Sequence, residues 1–223
     1  EQLAGVSVKA RAHGARNRLA QFQKEVSLEE VMQARPIADP FTLLHRCPTG
    51  DGAAAAIICG AEIAHKFEAS PVKVLASELC TGTFVTGYRD MTVPEITVRG
   101  AAEAYAEAGV GPEDIDVAEI HDAFSIAELL YYEAFAFCRR GEAIGLLEDG
   151  VTSMGGAKPV NPSGGLLSKG HPVGATGVRM LLDSFKQVSN QAEGYQVDGA
   201  KRAATLNIGG SATTCVSFVV EAN

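Results

Sequence analysis

Apolar and polar positions along this chain fall into short runs that predict alternating strands and helices. Gly50-Asp51-Gly52 is a tight turn feeding an unbroken apolar run, which predicts a buried strand over 53–59 and a surface helix ending near Phe67. A second strand is expected over 72–79. Over 93–108, Ala101, Ala104, Tyr105 and Ala108 recur at helical spacing, and Gly109 and Pro112 close the pattern. Residues 116–120 read as a short strand running straight into His121. The longest helical pattern is 122–140, apolar nearly all round, as in a helix buried on most sides. Arg139 and Arg140 suit its C-terminal end and Gly141 its stop. A loop rich in Gly and Pro spans 155–174. The helix expected over 175–188 buries Val178, Leu181, Leu182 and Phe185. Strands over 203–207 and 214–220 meet at Gly209-Gly210. Such alternation predicts a layered α/β domain.

Residues 1–46 are more polar, broken by Arg35-Pro36 and Asp39-Pro40. Lys9, Arg11, Arg16, Arg18 and Lys24 face only Glu1 within the first 24 residues. That excess is either a solvated face or a cradle for an anionic ligand tail. The whole chain carries a formal charge of −8, which argues against a nucleic-acid binder. Its longest apolar run, 53–61, is about half the ~20 residues that cross a bilayer, so no membrane span is expected. Five cysteines (Cys47, Cys59, Cys80, Cys138, Cys215) show no CxxC pair and no zinc spacing. They read as reduced, mostly buried thiols of a cytoplasmic protein, with no metal site. The chain opens at Glu1 in what reads as mid-domain sequence, as a piece of something longer.

Three stretches place a reactive type of residue just after a strand: His121-Asp122-Ala123-Phe124, then 170–177 (GHPVGATG), then Asn207-Ile208-Gly209-Gly210. Sites in layered α/β proteins collect there, beside helix N-termini that favour developing negative charge. His171 lies among glycines that allow close backbone approach to a ligand. His121 precedes an apolar helix, so its imidazole should be enclosed. Two imidazoles on one chain suit a base paired with a donor to an oxyanion. The glycines lack both the GxxxxGK[ST] and the GxGxxG order, which excludes P-loop and dinucleotide-binding readings.

Residues 161–165 (NPSGG) leading into 170–177 resemble the C-terminal signature of the thiolase family. The His121-Asp122-Ala123-Phe124 stretch resembles the HDxF variant of sterol-carrier-protein-type and archaeal thiolases, and Asp51-Gly52-Ala53-Ala54-Ala55 is similar to the family's SDGAAA turn. Residues 204–210 fall where many thiolases read Cys-x-Gly-Gly. The resemblance runs from about Gln21 to Val220 in the family's order. It implies an α-β-α layered fold with a mixed five-stranded sheet. Residues 1–46 would be the end of a loop domain, 47–69 the last strand and helix of an N-terminal domain, and 70–223 the C-terminal domain. The nucleophilic cysteine would lie in a missing N-terminal half, and Cys80 is wrongly placed to replace it.

The resemblance further implies an acyl-CoA substrate, with no permanently bound cofactor. His171 would activate the thiol and share an oxyanion site with His121, and the Gly209 N–H would serve a second oxyanion hole. Arg16, Arg18 and Lys24 would meet the CoA phosphates. Implied partners are the N-terminal half, a second copy, or a zinc-ribbon/OB-fold subunit. Asn207 and Ala123 depart from the pattern, standing where relatives place a second, proton-exchanging cysteine. Three activities follow as expectations: β-ketoacyl-CoA thiolysis or Claisen condensation, retro-aldol cleavage of a β-hydroxyacyl-CoA, and non-catalytic acyl or partner binding.

Overall fold

The computed structural model describes residues 1–67, 70–82, 90–210 and 212–223. In chain order its elements are α1 (Gln2–Gly14), α2 (Leu28–Gln33), β1 (Pro36–Ala38), β2 (Phe41–Thr42), β3 (Val72–Thr81), α3 (Glu95–Ala108), β4 (Val117–Ile120), α4 (Ser125–Ala134), α5 (Ala143–Glu148), α6 (Gly165–Lys169), α7 (Thr176–Val188), β5 (Arg202–Gly209) and β6 (Thr214–Ala222). β1 and β2 form a small hairpin, and the main sheet has the order β3-β6-β5-β4. β3 and β5 are antiparallel to β6, whereas β4 runs parallel to β5, with Ile120 opposite Leu206.

Neighbouring residues of the central strands point to opposite faces, as the two-residue period of a strand requires. Ala118, Ile120, Ala204, Leu206 and Val219 join the core that α1, α3 and α4 cover. Val117, Ala203 and Val220 join a smaller core with Val188 and Leu181 of α7. Helices therefore cover both faces of a mixed sheet. A fifth strand is reduced to a single parallel bridge, Ala118 with Val160. Pro159 has no N–H with which to extend the pairing before Val160, and after it Asn161 turns out of the extended region with φ 53° while its side chain accepts the Ile120 N–H.

Several elements depart from the sequence pattern. The strand expected over 53–59 does not form: no strand among the described residues pairs with it, and Ile57 and Ile58 are 85% and 75% exposed. A 3₁₀ helix over Ala61–Lys66 follows, while positions 68 and 69 of the expected 47–69 unit lie outside the described residues. α4 ends at Ala134, well before Arg139. Buried Phe135 packs edge-on against Tyr105, whose hydroxyl donates to the Phe135 carbonyl, and Ala136 turns the chain with φ 55°. α1, α3 and α5 of this chain pack against α4, whereas Ile126 on its first turn is exposed. α6 interrupts the expected 155–174 loop.

α7 buries a side different from the one its apolar pattern predicts. Val178 is exposed and Leu181, Leu182 and Phe185 are half-buried, whereas Asp183, Ser184 and Gln187 are buried. Asp183 and Gln187 can be enclosed because each is bonded: Asp183 to Lys169 and the Tyr195 hydroxyl, Gln187 to the Tyr195 carbonyl and the Val197 N–H.

α1, which the sequence pattern does not predict, packs Val6 and Ala10 into the larger core. Its Lys9 is buried rather than part of a solvated basic face. The ammonium lies 2.5 Å from Glu128 and donates to the Tyr132 hydroxyl and the Val160 carbonyl. Removing one member of a buried, bonded ion pair strands the other charge. Lys9→Ala should destabilise the fold by about 3–5 kcal/mol, whereas Lys9→Met with Glu128→Leu should recover most of the loss. Urea denaturation of the three proteins measures both effects.

Candidate active site

β4 ends at Ile120 opposite Leu206, so the next residues of the two strands, His121 and Asn207, come level beside one another. His121 Nδ1 lies 2.7 Å from the Asn207 Oδ1. His171 approaches from the glycine-rich loop, and the two imidazoles meet edge to face with centroids 4.9 Å apart. His171 Nδ1 lies 2.6 Å from Thr176 Oγ1, and the Thr176 hydroxyl donates its only proton to the Pro172 carbonyl. Thr176 must therefore accept from His171, which leaves Nε2 of the neutral ring free to take a proton. Burial lowers the pKa of both rings, and that of His121 falls to about 4. Both are neutral bases at pH 7.

Buried ionisable side chains hold the loops that carry these rings. Asp122, adjacent to His121, accepts from the Leu166 N–H at 2.6 Å and so ties the β4–α4 turn to α6. Burial, followed by the nearby Glu128, pushes its pKa up to about 8. On the other side, Lys169 lies 3.2 Å from Glu119 and 2.6 Å from Asp183, two residues before His171. Burial opposes its charge, but Asp183 and Glu119 together hold its pKa above the ordinary lysine value.

Residues 77–222 match the family described as "Thiolase C-terminal domain-like". The chain belongs to the thiolase family. It is 43% identical over 211 residues to the benzoylsuccinyl-CoA thiolase subunit BbsB of Thauera aromatica, covering 94% of this chain and 55% of that protein. The acetyl-CoA acetyltransferase of Methanothermobacter thermautotrophicus is 43% identical, covering 98% and 57%. Sterol carrier protein 2 of Oryctolagus cuniculus is 41% identical, covering 94% and 39%. The chain thus spans little more than half the length of these relatives, or less. Among solved structures, one titled "Ltp2-ChsH2(DUF35) aldolase" superposes with a TM-score of 0.88 at 24% identity, over 99% of this chain and 58% of that one. That likeness is one of fold.

Within this thiolase-family chain the structure joins His121, His171 and Asn207 directly. Gly209 is the exposed last residue of β5, two positions beyond Asn207. The cations do not gather there. Arg16 lines a separate cavity of about 890 Å³ with His13, Leu147 and Met154. Arg18 lies 3.9 Å from Glu193, Lys24 is exposed, and Arg11 stacks on Phe22. The cysteines are free; Cys80 and Cys215 are buried, Cys47 and Cys138 half-buried, and Cys59 exposed, against the expectation for that position. Burial and then Glu103, which accepts from its thiol, push Cys80 up to about 11. Such a thiol makes a poor nucleophile at neutral pH.

Other parts of the site carry no motif of their own. The segment from Arg46 to Gly52 bridges the two histidine loops: Arg46 pairs with Phe124, the Cys47 N–H donates to the Ala123 carbonyl, and Gly52 packs against Pro172. Only the Asp51-Gly52 turn gives a hint of this. Thr176, which orients His171, was readable only as a member of the loop. His13 donates from Nδ1 to the Asn161 carbonyl and accepts the Met154 N–H at Nε2, and burial lowers its pKa to about 3.

The buried neutral histidines make stability depend on pH. Each has a folded pKa below its ordinary 6.5, so the unfolded chain binds more protons in acid. Their contribution is present above about pH 6.5. It is lost as the pH falls towards about 4 for His121 and about 3 for His13. Each group adds a slope approaching about 1.4 kcal/mol per pH unit. Because the raised pKa of Asp122 acts with the opposite sign over the same range, the test is comparative: in urea denaturation from pH 7.5 to 4 the wild type should lose stability relative to His13→Asn.

Proposed function

We propose that this chain supplies the acid–base loops of a thiolase-type acyl-CoA C-acyltransferase that makes or cleaves a β-ketoacyl-CoA by Claisen chemistry. The observation that carries this reading is the His121–His171 pair, in edge-to-face contact, with each Nδ1 held by a partner. A thioester that develops oxyanion or enolate character needs bases and donors already in place in a site sheltered from water. In this reading His171 takes the proton of a nucleophilic cysteine supplied by chain outside these 223 residues. The protonated ring and the Gly209 N–H then stabilise the oxyanions. Arg16, Arg18 and Lys24, all away from the ring pair, are the cations proposed for the anionic end of CoA. A companion polypeptide belongs to the same proposal, since one relative is named as a subunit and one structural neighbour is titled as a pair of proteins.

Asn207 and Ala123 favour a second reading, retro-aldol cleavage of a β-hydroxyacyl-CoA, which needs no second thiol. Release of an aldehyde or ketone with no requirement for free CoA would select it over thiolysis.

The test is acyl-enzyme formation from an acyl-CoA by the complete natural protein, followed by mass spectrometry. Losing one oxyanion donor costs about 10²–10³ in rate. His121→Asn should still acylate measurably, and His171→Asn should lose more than that factor because base and donor go together. Acylation of His171→Asn at the wild-type rate would overturn the assignment. The 223-residue chain by itself should show no CoA-dependent cleavage of acetoacetyl-CoA.

A further inference from the structure

Asn207 stands where the family resemblance leads one to expect a thiol, and an amide cannot exchange a proton near neutral pH. Its geometry assigns it different work. The Asn207 Oδ1 carries no hydrogen, so its 2.7 Å contact with His121 Nδ1 is attractive only when the proton sits on Nδ1. A neutral imidazole has one N–H, so Nε2 of His121 is then bare and in that state cannot donate to an oxyanion, in contrast to the shared oxyanion site that the family resemblance implies. The other end of the amide is confined as well. A methyl group at Gly177, the second residue of α7, would come within 2.8 Å of Asn207 Nδ2. The amide is lodged between an imidazole and a helix backbone, in space that exists because residue 177 has no side chain.

We propose that Asn207 is a positioning residue: it holds His121 as the Nδ1–H tautomer, so that His121 Nε2 acts as a proton acceptor in place of the missing second thiol, and Gly177 provides the clearance this requires. The acceptor role rests on the thiolase-type reading above; the tautomer does not. In the condensing direction the α-C–H bond of the acetyl thioester breaks and its proton goes to His121 Nε2. The enolate forms the C–C bond to the acyl carbon of the acyl-enzyme, and the C–S bond to the cysteine breaks. The departing thiolate receives the proton from the imidazolium. Throughout, Nδ1–H stays on Asn207, and no oxidant or reductant is needed.

Two-bond ¹H–¹⁵N correlation NMR of the histidine-labelled chain at pH 7 reads the tautomer, with His121 assigned through His121→Asn. The expected pattern is a protonated Nδ1 and a bare Nε2. Asn207→Asp, an acceptor only, should keep it; Asn207→Ala should shift population to Nε2–H. Gly177→Ala is a second probe, because its methyl group would press on the Asn207 amide and on neither ring. It should shift the His121 population towards Nε2–H while His171 keeps its proton on Nδ1. An Nε2–H tautomer in the wild type, or one indifferent to both Asn207→Ala and Gly177→Ala, overturns the positioning role. In the complete protein, Asn207→Ala should slow exchange of the acetyl-CoA α-protons into D₂O more than tenfold while acylation persists. Unchanged exchange with the expected tautomer overturns the acceptor role alone, and failure of the wild type to acylate overturns the thiolase-type reading itself.

Discussion

One buried ammonium, that of Lys169, governs how the glycine-rich loop can run. It is 7% exposed and draws together Glu119 of β4, Ser163 of the loop and Asp183 of α7. Charges so far from water persist only when every one is paired and bonded. Tyr195 and Arg179 complete the partners of Asp183, and the Ser163 hydroxyl donates to Glu119. The demand explains why α7 turns its polar side inward. It also fixes where His171 stands, since Lys169 precedes it by two residues and Thr176, its partner, begins the helix that Asp183 anchors.

A second group of buried charges does the same for His121. Lys9 from α1, Glu128 and Tyr132 from α4, and Thr152 form one bonded cluster, and Asn161 joins it through Glu128. Asn161 also accepts the Ile120 N–H at its side-chain oxygen, one residue before His121. Interior loops must satisfy each backbone polar group without the help of a regular ladder. Here side chains supply those partners: Lys9 for the Val160 carbonyl, His13 for the Asn161 carbonyl, Asp122 for the Leu166 N–H. The histidine pair is positioned by electrostatics distributed over the first 15 residues and the C-terminal unit alike.

Much of this was legible in the sequence, and the remainder was hidden for physical reasons. The strands of the main sheet announce themselves through apolar runs, and α3 through its spacing and the left-handed Gly109 that caps it. His121 and His171 stand out because each follows a strand or lies among glycines. α1 stayed concealed because its helix is weakly patterned: Ser7, Lys9 and His13 lie on its buried side and look like surface residues until Glu128 and Asn161 are known. The 53–59 run reads as a strand by composition, but a strand is made by its neighbours, and none among the described residues pairs with it. The roles of Thr176 and Asn207 depend on contacts 5 and 86 residues apart, which no local pattern encodes.

The contact between the two rings limits what they can do. With centroids 4.9 Å apart in surroundings that already disfavour charge, one imidazole can be protonated far more readily than both. His171 is among the influences that keep His121 from accepting a proton. A first proton on the pair therefore disfavours a second. A neutral pair is ready to receive one, and once it has, the charged ring is a stronger acid than a free imidazolium because burial and its neighbour both press the proton out. The Claisen chemistry proposed above calls for that sequence, uptake from one atom and prompt delivery to another. A charge-poor site with two pinned imidazoles suits that need, with no carboxylate among the described residues bonded to either ring.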